Sequence, residues 1–482
     1  MFSEFLIKIP YLLYFIPLLG SVFINFINGR RFLTNCTYSV LLILFLLSLK
    51  LIFHINNYDE MLIVNSSTQY NVIGTEFRIS LYNIFILLTI LFVNFIGFIN
   101  YIHEIILNKQ SNVSYIKHFF SIYLMYIFAM VGIVLTSNIF HLFIFLEIYS
   151  FCMYLMITNY KKEDLTILSY KYFSNNIFGS ILNMLTIFYI VLYFNTSNMF
   201  AIKQQLMTIS IKDNIGIFLM FLLFICSIIM RFFNTNTSKH HNTNNVGVNF
   251  LSISNIFVNT LIGVYLIDMI AHFIFSNHAM LSVFFIRWLV ILITSIVIIY
   301  NSYLLINKNN INNVFNIFIR MDLINFGFLL LTSFLNIGNK MSLMFVVDFV
   351  SINMLLYFFS AYLSAKYKTN DIQILNNDLK LKCFFVFIVV FKVFLPLGTC
   401  LYTNYLFLHY LIKSGYFVLL APFLLNKVAV GILLFKTITN KSRIELEDNI
   451  VINKKSVNNL LLSVILIMIF VLFFNVFMGL IE

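Results

Sequence analysis

Long apolar runs separated by short polar segments recur along the whole chain. The runs extend over about 18 residues or more, which is the length an α-helix needs to cross the hydrocarbon core of a bilayer. A transmembrane β-barrel would instead alternate apolar and polar residues in segments of about ten, and the sequence shows no such alternation. The pattern therefore predicts an all-α polytopic membrane protein with about fourteen transmembrane helices.

The predicted helices follow one another with little chain between them. Their windows are 5–28, 34–55, 79–101, 117–136, 138–158, 167–194, 213–233, 247–274, 280–303, 312–336, 340–364, 382–408, 413–437 and 457–480. The longest polar stretches, 56–78 and 439–456, are too short to form soluble domains. The sequence thus predicts a single membrane domain over 1–482, with both termini on the same side of the bilayer.

Basic residues are distributed unequally between the two sets of loops. The loops after odd-numbered windows carry Arg30, Arg31, Lys109, Lys117, Lys161, Lys162, Lys239, Lys308, Lys366, Lys368, Lys380, Lys441, Arg443, Lys454 and Lys455. The loops after even-numbered windows carry little beyond Lys203, Lys212 and Lys340. By the positive-inside rule, the first set faces the cytoplasm or matrix, and both termini face the opposite side.

Composition supports the membrane assignment and excludes other classes. Of 482 residues, 61% are hydrophobic and 10% are charged, whereas a soluble chain carries about 25% charged residues. The net charge of +12 does not indicate nucleic-acid binding, because the topology already accounts for the basic loops. The 5 cysteines show no paired spacing, so neither disulfides nor a metal cluster are predicted. No cleavable signal sequence is predicted.

Ionisable residues within the apolar windows carry the candidate chemistry, because each costs about 3 kcal/mol or more at the bilayer centre. Glu147 lies midway along 138–158, and Lys392 lies about 15 Å into 382–408 at helical rise. Acid and base groups at mid-depth are what a proton path requires, since burial shifts their pKa values toward neutrality. The predicted path residues are Glu147, Lys171, Arg231 and Lys392, with Asp348, Asp322 and Arg320 as possible modulators. For Lys171, Arg231 and Asp268, which lie near helix ends, pairing within the bundle is an equally good explanation.

Two further features of the sequence bear on function. Pro396-Leu397-Gly398 falls inside the window 382–408, where proline removes a backbone hydrogen bond and glycine permits a bend. It is either a simple kink or an unwound segment of the kind that lines transporter cavities. His240 and His241 are adjacent, with no accompanying carboxylate, and indicate a solvated loop. No metal site and no catalytic residue are predicted.

The order and spacing of several short motifs resemble the antiporter-like membrane subunits of respiratory complex I, over essentially the full chain. Those subunits are also similar to subunits of multi-subunit sodium/proton antiporters. Within the family the chain is most similar to NADH dehydrogenase subunit 2. The matching residues are Glu147, Ser150 and Tyr154; Lys171-Tyr172-Phe173 with Ser180; Phe349, Asn353 and Tyr357; and Gly327-Phe328. The resemblance implies fourteen core helices with two inverted five-helix repeats and broken helices, placed here at 117–274 and 280–438. The segments 1–116 and 439–482 flank them.

The chain also departs from the family. In an ungapped alignment, two lysines associated with proton transfer fall at Cys226 and at Asn255 or Ile256, and a third falls near Thr403. Of the charged set, only Glu147 is cleanly retained. Membership in the assembly is therefore better supported than pumping by this subunit.

The resemblance implies a non-redox subunit of a proton-translocating NADH:ubiquinone oxidoreductase. No G-x-G-x-x-G motif follows a predicted strand, so no nucleotide site is expected. NADH, FMN, iron–sulfur clusters and ubiquinone are expected in partner subunits and none in this chain. The expected partners are other complex I membrane subunits and lipids, with no stable monomer. The expected location is the mitochondrial inner membrane, or alternatively a bacterial inner membrane. Two other functions stay open: a subunit of a cation/proton antiporter, and a structural complex I subunit that no longer pumps.

Overall fold

The structure is a computed structural model. It describes residues 2–55, 62–65, 76–107, 113–158, 163–208, 215–232, 257–274, 338–367, 372–376, 378–393, 417–439 and 464–470, together with 295–296, 299–304, 314, 317, 409 and 412. The named helices in these ranges are α1 (Phe2–Phe23), α2 (Arg30–Ile55), α3 (Leu81–Leu107), α4 (Val113–Leu135), α5 (Ile139–Thr158), α6 (Glu163–Phe194), α7 (Met199–Thr208), α8 (Ile215–Phe232), α9 (Asn259–Ile274), α10 (Gly338–Tyr367), α11 (Leu379–Val393) and α12 (Phe417–Thr439). Two strands, β1 (Leu62–Asn65) and β2 (Glu76–Ile79), pair antiparallel.

The predicted class of fold, an all-α polytopic membrane protein, is confirmed. Within the described residues, 6 helices are long and apolar enough to cross a membrane. They are Lys8–Phe26, Arg30–Phe53, Leu81–Asn100, Val113–Leu135, Ile139–Thr158 and Ser169–Phe194. The count of about fourteen stays a prediction. Most of the windows 280–303, 312–336 and 457–480, and the end of 382–408, lie outside the described residues.

Several boundaries differ from the predicted windows for local reasons. α2 begins at Arg30, so Arg30 and Arg31 lie in its first turn and not in a loop. α6 begins at Glu163, because two acidic residues in a first turn interact favourably with the helix dipole. The window 247–274 is described as a helix only from Asn259, after a short π turn at 257–258.

Asparagines fix the starts and ends of helices between α4 and α7. Asn138 Oδ1 accepts a hydrogen bond from the backbone N–H of Phe140 at 2.9 Å, and Asn198 Oδ1 accepts one from Phe200 at 2.8 Å. Both are N-caps, which satisfy donors that a helix start leaves free. Asn195 ends α6 with φ 52°, a conformation that asparagine tolerates better than most residues. These caps make room for the short helix α7, which hydrophobicity alone did not predict.

The chain forms two compact units, residues 1–240 with 246–280 and residues 241–245 with 281–482. In the first unit, α4 packs against α1, α3 and α5. Every residue of α4 from Tyr126 to Leu135 is buried. α6 packs against α5 and α8, and α9 packs against α8.

 In a bilayer this burial adds little hydrophobic free energy relative to lipid, so close side-chain packing holds α4 in place.

The end of the first unit that contains β2, the loop 136–138 and the loop 195–198 is called here the hairpin end. Phe77 of β2 pairs with Thr136, and Asn138 pairs with Asn198, through isolated antiparallel bridges. The Phe77 ring also contacts the rings of Tyr11 and Tyr14 on α1, with centroids 5.1 and 5.6 Å apart. The polar stretch 56–78 therefore contributes a hairpin that is packed on the bundle and is not a domain by itself.

In the second unit, α11 packs against α10 and α12. Lys382 Nζ donates hydrogen bonds to the Ile438 carbonyl oxygen at 3.1 Å and to Asn376 Oδ1 at 2.9 Å. A lysine at the last carbonyls of a helix satisfies acceptors that the helix leaves unpaired. This contact joins the start of α11 to the end of α12.

Candidate functional site

The first unit contains an ion pair between two of the residues predicted for the proton path. Arg231 Nη2 lies 2.5 Å from Glu147 Oε1. Glu147 comes from the middle of α5, and Arg231 comes from the last turn of α8. The two side chains differ in environment, because that of Arg231 is 1% exposed and that of Glu147 is 37% exposed. The cation is therefore enclosed in protein, whereas the carboxylate has an open side.

Arg231 reaches Glu147 by passing over a glycine of the helix between them. A Cβ atom on Gly179 of α6 would lie 2.5 Å from Arg231 Cγ, 2.9 Å from Nε and 3.1 Å from Cδ. Real Cβ atoms do not approach other atoms so closely, so any larger residue at position 179 requires the arginine to move. The missing side chain of Gly179 thus leaves the room in which the Arg231 side chain crosses α6.

A second polar contact joins α6 and α8 one turn further along. Ser227 Oγ donates to Asn183 Oδ1 and also lies 2.6 Å from the Phe224 carbonyl oxygen. Both Ser227 and Asn183 are buried. Buried polar groups need partners, so this pair fixes the register of α6 against α8. That register places Gly179 under Arg231.

Arg231 is only partly satisfied within the described part of the chain. Its Nη2 bonds Glu147, but its buried Nε and Nη1 have no hydrogen-bond acceptor there. Because an unpaired buried donor is costly, the contact with Glu147 is the main interaction that compensates the buried guanidinium.

Buried tyrosines lie next to the ion pair. The Tyr149 hydroxyl donates to Asn259 Oδ1 at the start of α9, and its oxygen lies 3.5 Å from that of Tyr126 on α4. Tyr172 of α6 lies within electrostatic range of Arg231 and of Tyr149. Sequence reasoning did not single out Tyr126, Tyr149 or Asn259. In a chain with 27 tyrosines and 58 phenylalanines, nothing in the pattern separates a hydrogen-bonding tyrosine from a packing one.

The other predicted site residues have different positions. Lys171 is exposed on α6 and makes no ion pair within the described ranges. Asp268 is buried in α9. Asp348 and Lys392 lie in α10 and α11, but their side chains are not described, and Arg320 and Asp322 lie outside the described residues. Of the predicted path, the structure therefore brings together Glu147 and Arg231. Cys226, where the alignment placed a family lysine, is exposed and is not at the pair.

Comparison with known proteins identifies the fold. No family model and no curated protein sequence matches the chain. A chain of the membrane-bound sulfane sulfur reductase, an archaeal respiratory membrane complex, matches with a TM-score of 0.70 at 16% identity, over 98% of this chain and 96% of that chain. A chain of the Mrp complex from Dietzia sp. DQ12-45-1b matches with a TM-score of 0.74 at 12% identity, over 92% of this chain and 81% of that chain.

At these identities the likeness shows the fold alone. The fold is the one that the chain shares with these two chains of membrane complexes. The chain is accordingly a multi-pass membrane protein that has the architecture of subunits from multi-subunit membrane complexes.

Proposed function

We propose that the chain is a membrane-arm subunit of a proton-translocating NADH:ubiquinone oxidoreductase, most similar to its subunit 2, in the mitochondrial inner membrane or a bacterial equivalent. In this proposal it holds no redox cofactor, and energy from electron transfer reaches it through neighbouring subunits. The observation that supports a role in proton movement is the Glu147–Arg231 ion pair. An intramembrane acid paired with a cation on another helix is the arrangement that proton-translocating proteins use.

The two members of the pair have different tasks in this proposal. An arginine guanidinium does not release its proton in proteins, so within the pair only Glu147 can exchange one. Arg231 is enclosed and packed on Gly179, whereas Glu147 has an open side. The carboxylate is therefore the part that turns away, takes up a proton and returns. Arg231 draws the carboxylate back once the proton has left.

The residues proposed for the second half of the proton path rest on the sequence alone. Lys392 of α11 is proposed as its titrating base. Asp348, which lies on the preceding helix α10, is proposed as the modulator of Lys392. Lys171 is proposed as a weaker electrostatic influence on Glu147 than Arg231, because it is exposed and unpaired with any described carboxylate.

Replacement of Glu147 by glutamine tests the proposal. The amide oxygen can still accept a hydrogen bond from Arg231, but the titrating group is gone. We expect the complex to assemble and to show a lower proton-to-electron ratio, or slower coupled turnover, measured in proteoliposomes. Asp378→Asn is the matched control, because Asp378 caps α11 through the backbone of Lys380 at 3.1 Å and asparagine can do the same.

The same measurements decide between the proposal and its alternatives. If Glu147→Gln and Lys392→Met both leave assembly, turnover and pumping unchanged, the chain is a structural subunit that no longer pumps. Purification in mild detergent separates the remaining alternative. Flavin and iron–sulfur subunits that co-purify with the chain support the oxidoreductase, and their absence from a stable, transporting complex supports a cation/proton antiporter.

A further inference from the structure

Two cations meet at the hairpin end, away from the Glu147–Arg231 pair. Arg78 lies on β2, three residues before the start of α3, and Lys203 lies on α7. The Arg78 guanidinium carbon is 5.6 Å from the centroid of the Phe200 ring. Phe200 and Lys203 are three residues apart on α7 and therefore share one face of that helix. Both cationic side chains are half-buried, so they are held together and not spread over open surface.

The proximity of these two cations is unfavourable by itself. Burial, and secondly the charge of Arg78, lowers the pKa of Lys203 below its ordinary value. Neither cation makes an ion pair with a carboxylate in the part of the chain that the structure describes. The buried Nε of Arg78 also has no acceptor among those residues. The chain therefore maintains two like charges at a position where they repel each other.

The nearby hydroxyl group of Tyr265 already has a hydrogen-bond partner. Tyr265 of α9 stacks on Tyr82 of α3 with ring centroids 6.2 Å apart, and its hydroxyl donates to the Val134 carbonyl oxygen at 2.9 Å. Arg78 and the buried Asp268 both lie within electrostatic range of that hydroxyl. With Asp268 ionised, Arg78, Lys203 and Asp268 carry one net positive charge. One phosphodiester neutralises that charge.

The position of the pair in the chain points to the same ligand chemistry. Arg78 directly precedes the span Leu81–Asn100, and α7 directly follows the span Ser169–Phe194. Both cations thus lie where spanning helices reach the membrane surface, at the depth of lipid headgroups. They also lie on the side of the bilayer for which the charge asymmetry predicts few lysines and arginines. The positive-inside rule therefore does not account for them.

We propose that Arg78 and Lys203 form a binding site for the phosphate group of an anionic phospholipid at the hairpin end. The guanidinium offers its N–H fork to the phosphate oxygens while its face rests on Phe200, and the ammonium of Lys203 adds a second charge-assisted bond. The acyl chains of the bound phospholipid would then lie along the neighbouring spanning helices. The site is independent of the proposed proton path.

Lipid retention by the intact complex tests this site. The complex is purified in mild detergent and placed in nanodiscs of phosphatidylcholine with a minor fraction of cardiolipin or phosphatidylglycerol, and bound lipids are counted by native mass spectrometry after partial delipidation. Compared are the unmodified chain, Arg78→Gln with Lys203→Gln, the charge-conserving pair Arg78→Lys with Lys203→Arg, and Lys8→Gln. Lys8 is a suitable control because it is exposed on α1 at the same end of the first unit, three residues before Tyr11.

We expect the double glutamine variant to lose about one anionic lipid per chain, and the other two variants to retain it, because only the first removes both attracting charges. Equal retention in all four proteins overturns the proposal. Thermal protection by inorganic phosphate equal to that by the anionic lipid would assign the site to a soluble anion and overturn the lipid assignment. Loss of a neighbouring subunit with unchanged lipid content would show that a partner's carboxylate covers the cations, and would overturn it as well. If the double variant does not assemble, the same comparison is made with Lys203→Gln against Lys203→Arg.

Discussion

The first unit contains cations in two settings that differ in how their charge is compensated. Arg231 is enclosed between α5, α6 and α8, and it has a carboxylate partner at 2.5 Å on its own chain. Arg78 and Lys203 are half-buried at the hairpin end and have no such partner within the described ranges. A fully enclosed guanidinium needs a counter-charge from the protein, because neither water nor lipid headgroups reach it. A cation at the membrane surface can take its counter-charge from outside the chain.

The comparison predicts which substitutions are costly. A change at the enclosed pair leaves a charge that nothing else can solvate, so it affects folding and function together. A change at the hairpin end removes an attraction for an external group, so the chain itself is little affected.

The largest effect is expected for Glu147→Ala. Removing one partner of a buried ion pair costs about 3–5 kcal/mol, and the open side of Glu147 favours the lower end of that range. Thermal unfolding of the complex in detergent measures the loss. Glu147→Gln is the matched control, since its amide oxygen keeps a hydrogen bond to Arg231. Equal unfolding temperatures for the two variants would mean that the enclosed arginine finds another partner, and the contrast between the two settings would fail.

A smaller loss is expected for Gly179→Ala. The added methyl group collides with the Arg231 side chain, and such overpacking costs about 1–3 kcal/mol. Since the arginine must move, proton coupling should fall as it does in Glu147→Gln. Gly132→Ala is the informative control, because its Cβ would lie 2.5 Å from the Phe145 ring and no Arg231 atom is among its nearest neighbours. It should lose stability and keep coupling. Gly431→Ala, with no atom within 4 Å of its Cβ position, should do neither.

Tyr149→Phe should cost about 1–2 kcal/mol, because it removes the donor to Asn259 and keeps the ring. Tyr126→Phe should cost less, since its oxygen lies at the long distance of 3.5 Å from that of Tyr149. Unfolding temperatures of both variants measure the difference. A proton ratio that falls in Tyr149→Phe while stability is unchanged would extend the functional site from the ion pair to the tyrosines.

The smallest effect is a pH dependence at the hairpin end. The pKa of Lys203 is lower in the folded protein than its ordinary value, so in the pH range between the two values the unfolded chain binds more protons. Stability therefore rises with pH across that range. Below it both states hold the proton, and the full unfavourable effect of the charged Lys203 on folding is present. In complex stripped of anionic lipid, unfolding temperatures at increasing alkaline pH should show this rise, and Lys203→Gln should abolish it. An unchanged rise in the variant would assign it to another group.

Much of this fold could be predicted from apolar runs, because the bilayer fixes helix length and forces backbone hydrogen bonds inside the helix. The positions of caps were harder. The short helix α7 depends on Asn195 and Asn198, and hydrophobicity does not report on such local hydrogen bonds.

The site was predictable only in part. Glu147 stands out in the sequence because a carboxylate in an apolar run needs a reason to be there. That Arg231 is its partner depends on Gly179 and on the register set by Asn183 and Ser227. Gly179 and Asn183 come from α6, so no spacing along α5 or α8 contains the information. Tyr149 likewise contacts Tyr126 on α4 and Asn259 on α9, and α9 is distant from the other two helices in the sequence.

The burial of α4 has a consequence for how the chain is made. Helices leave the ribosome and enter the membrane in sequence order, and α4 packs on α1 and α3, which precede it, and on α5, which follows directly. Its side chains can therefore find their final neighbours almost as soon as it is inserted. A helix that is buried mainly by its neighbours in sequence does not have to wait for distant parts of the chain, and the first unit can begin to consolidate while the second is still being translated.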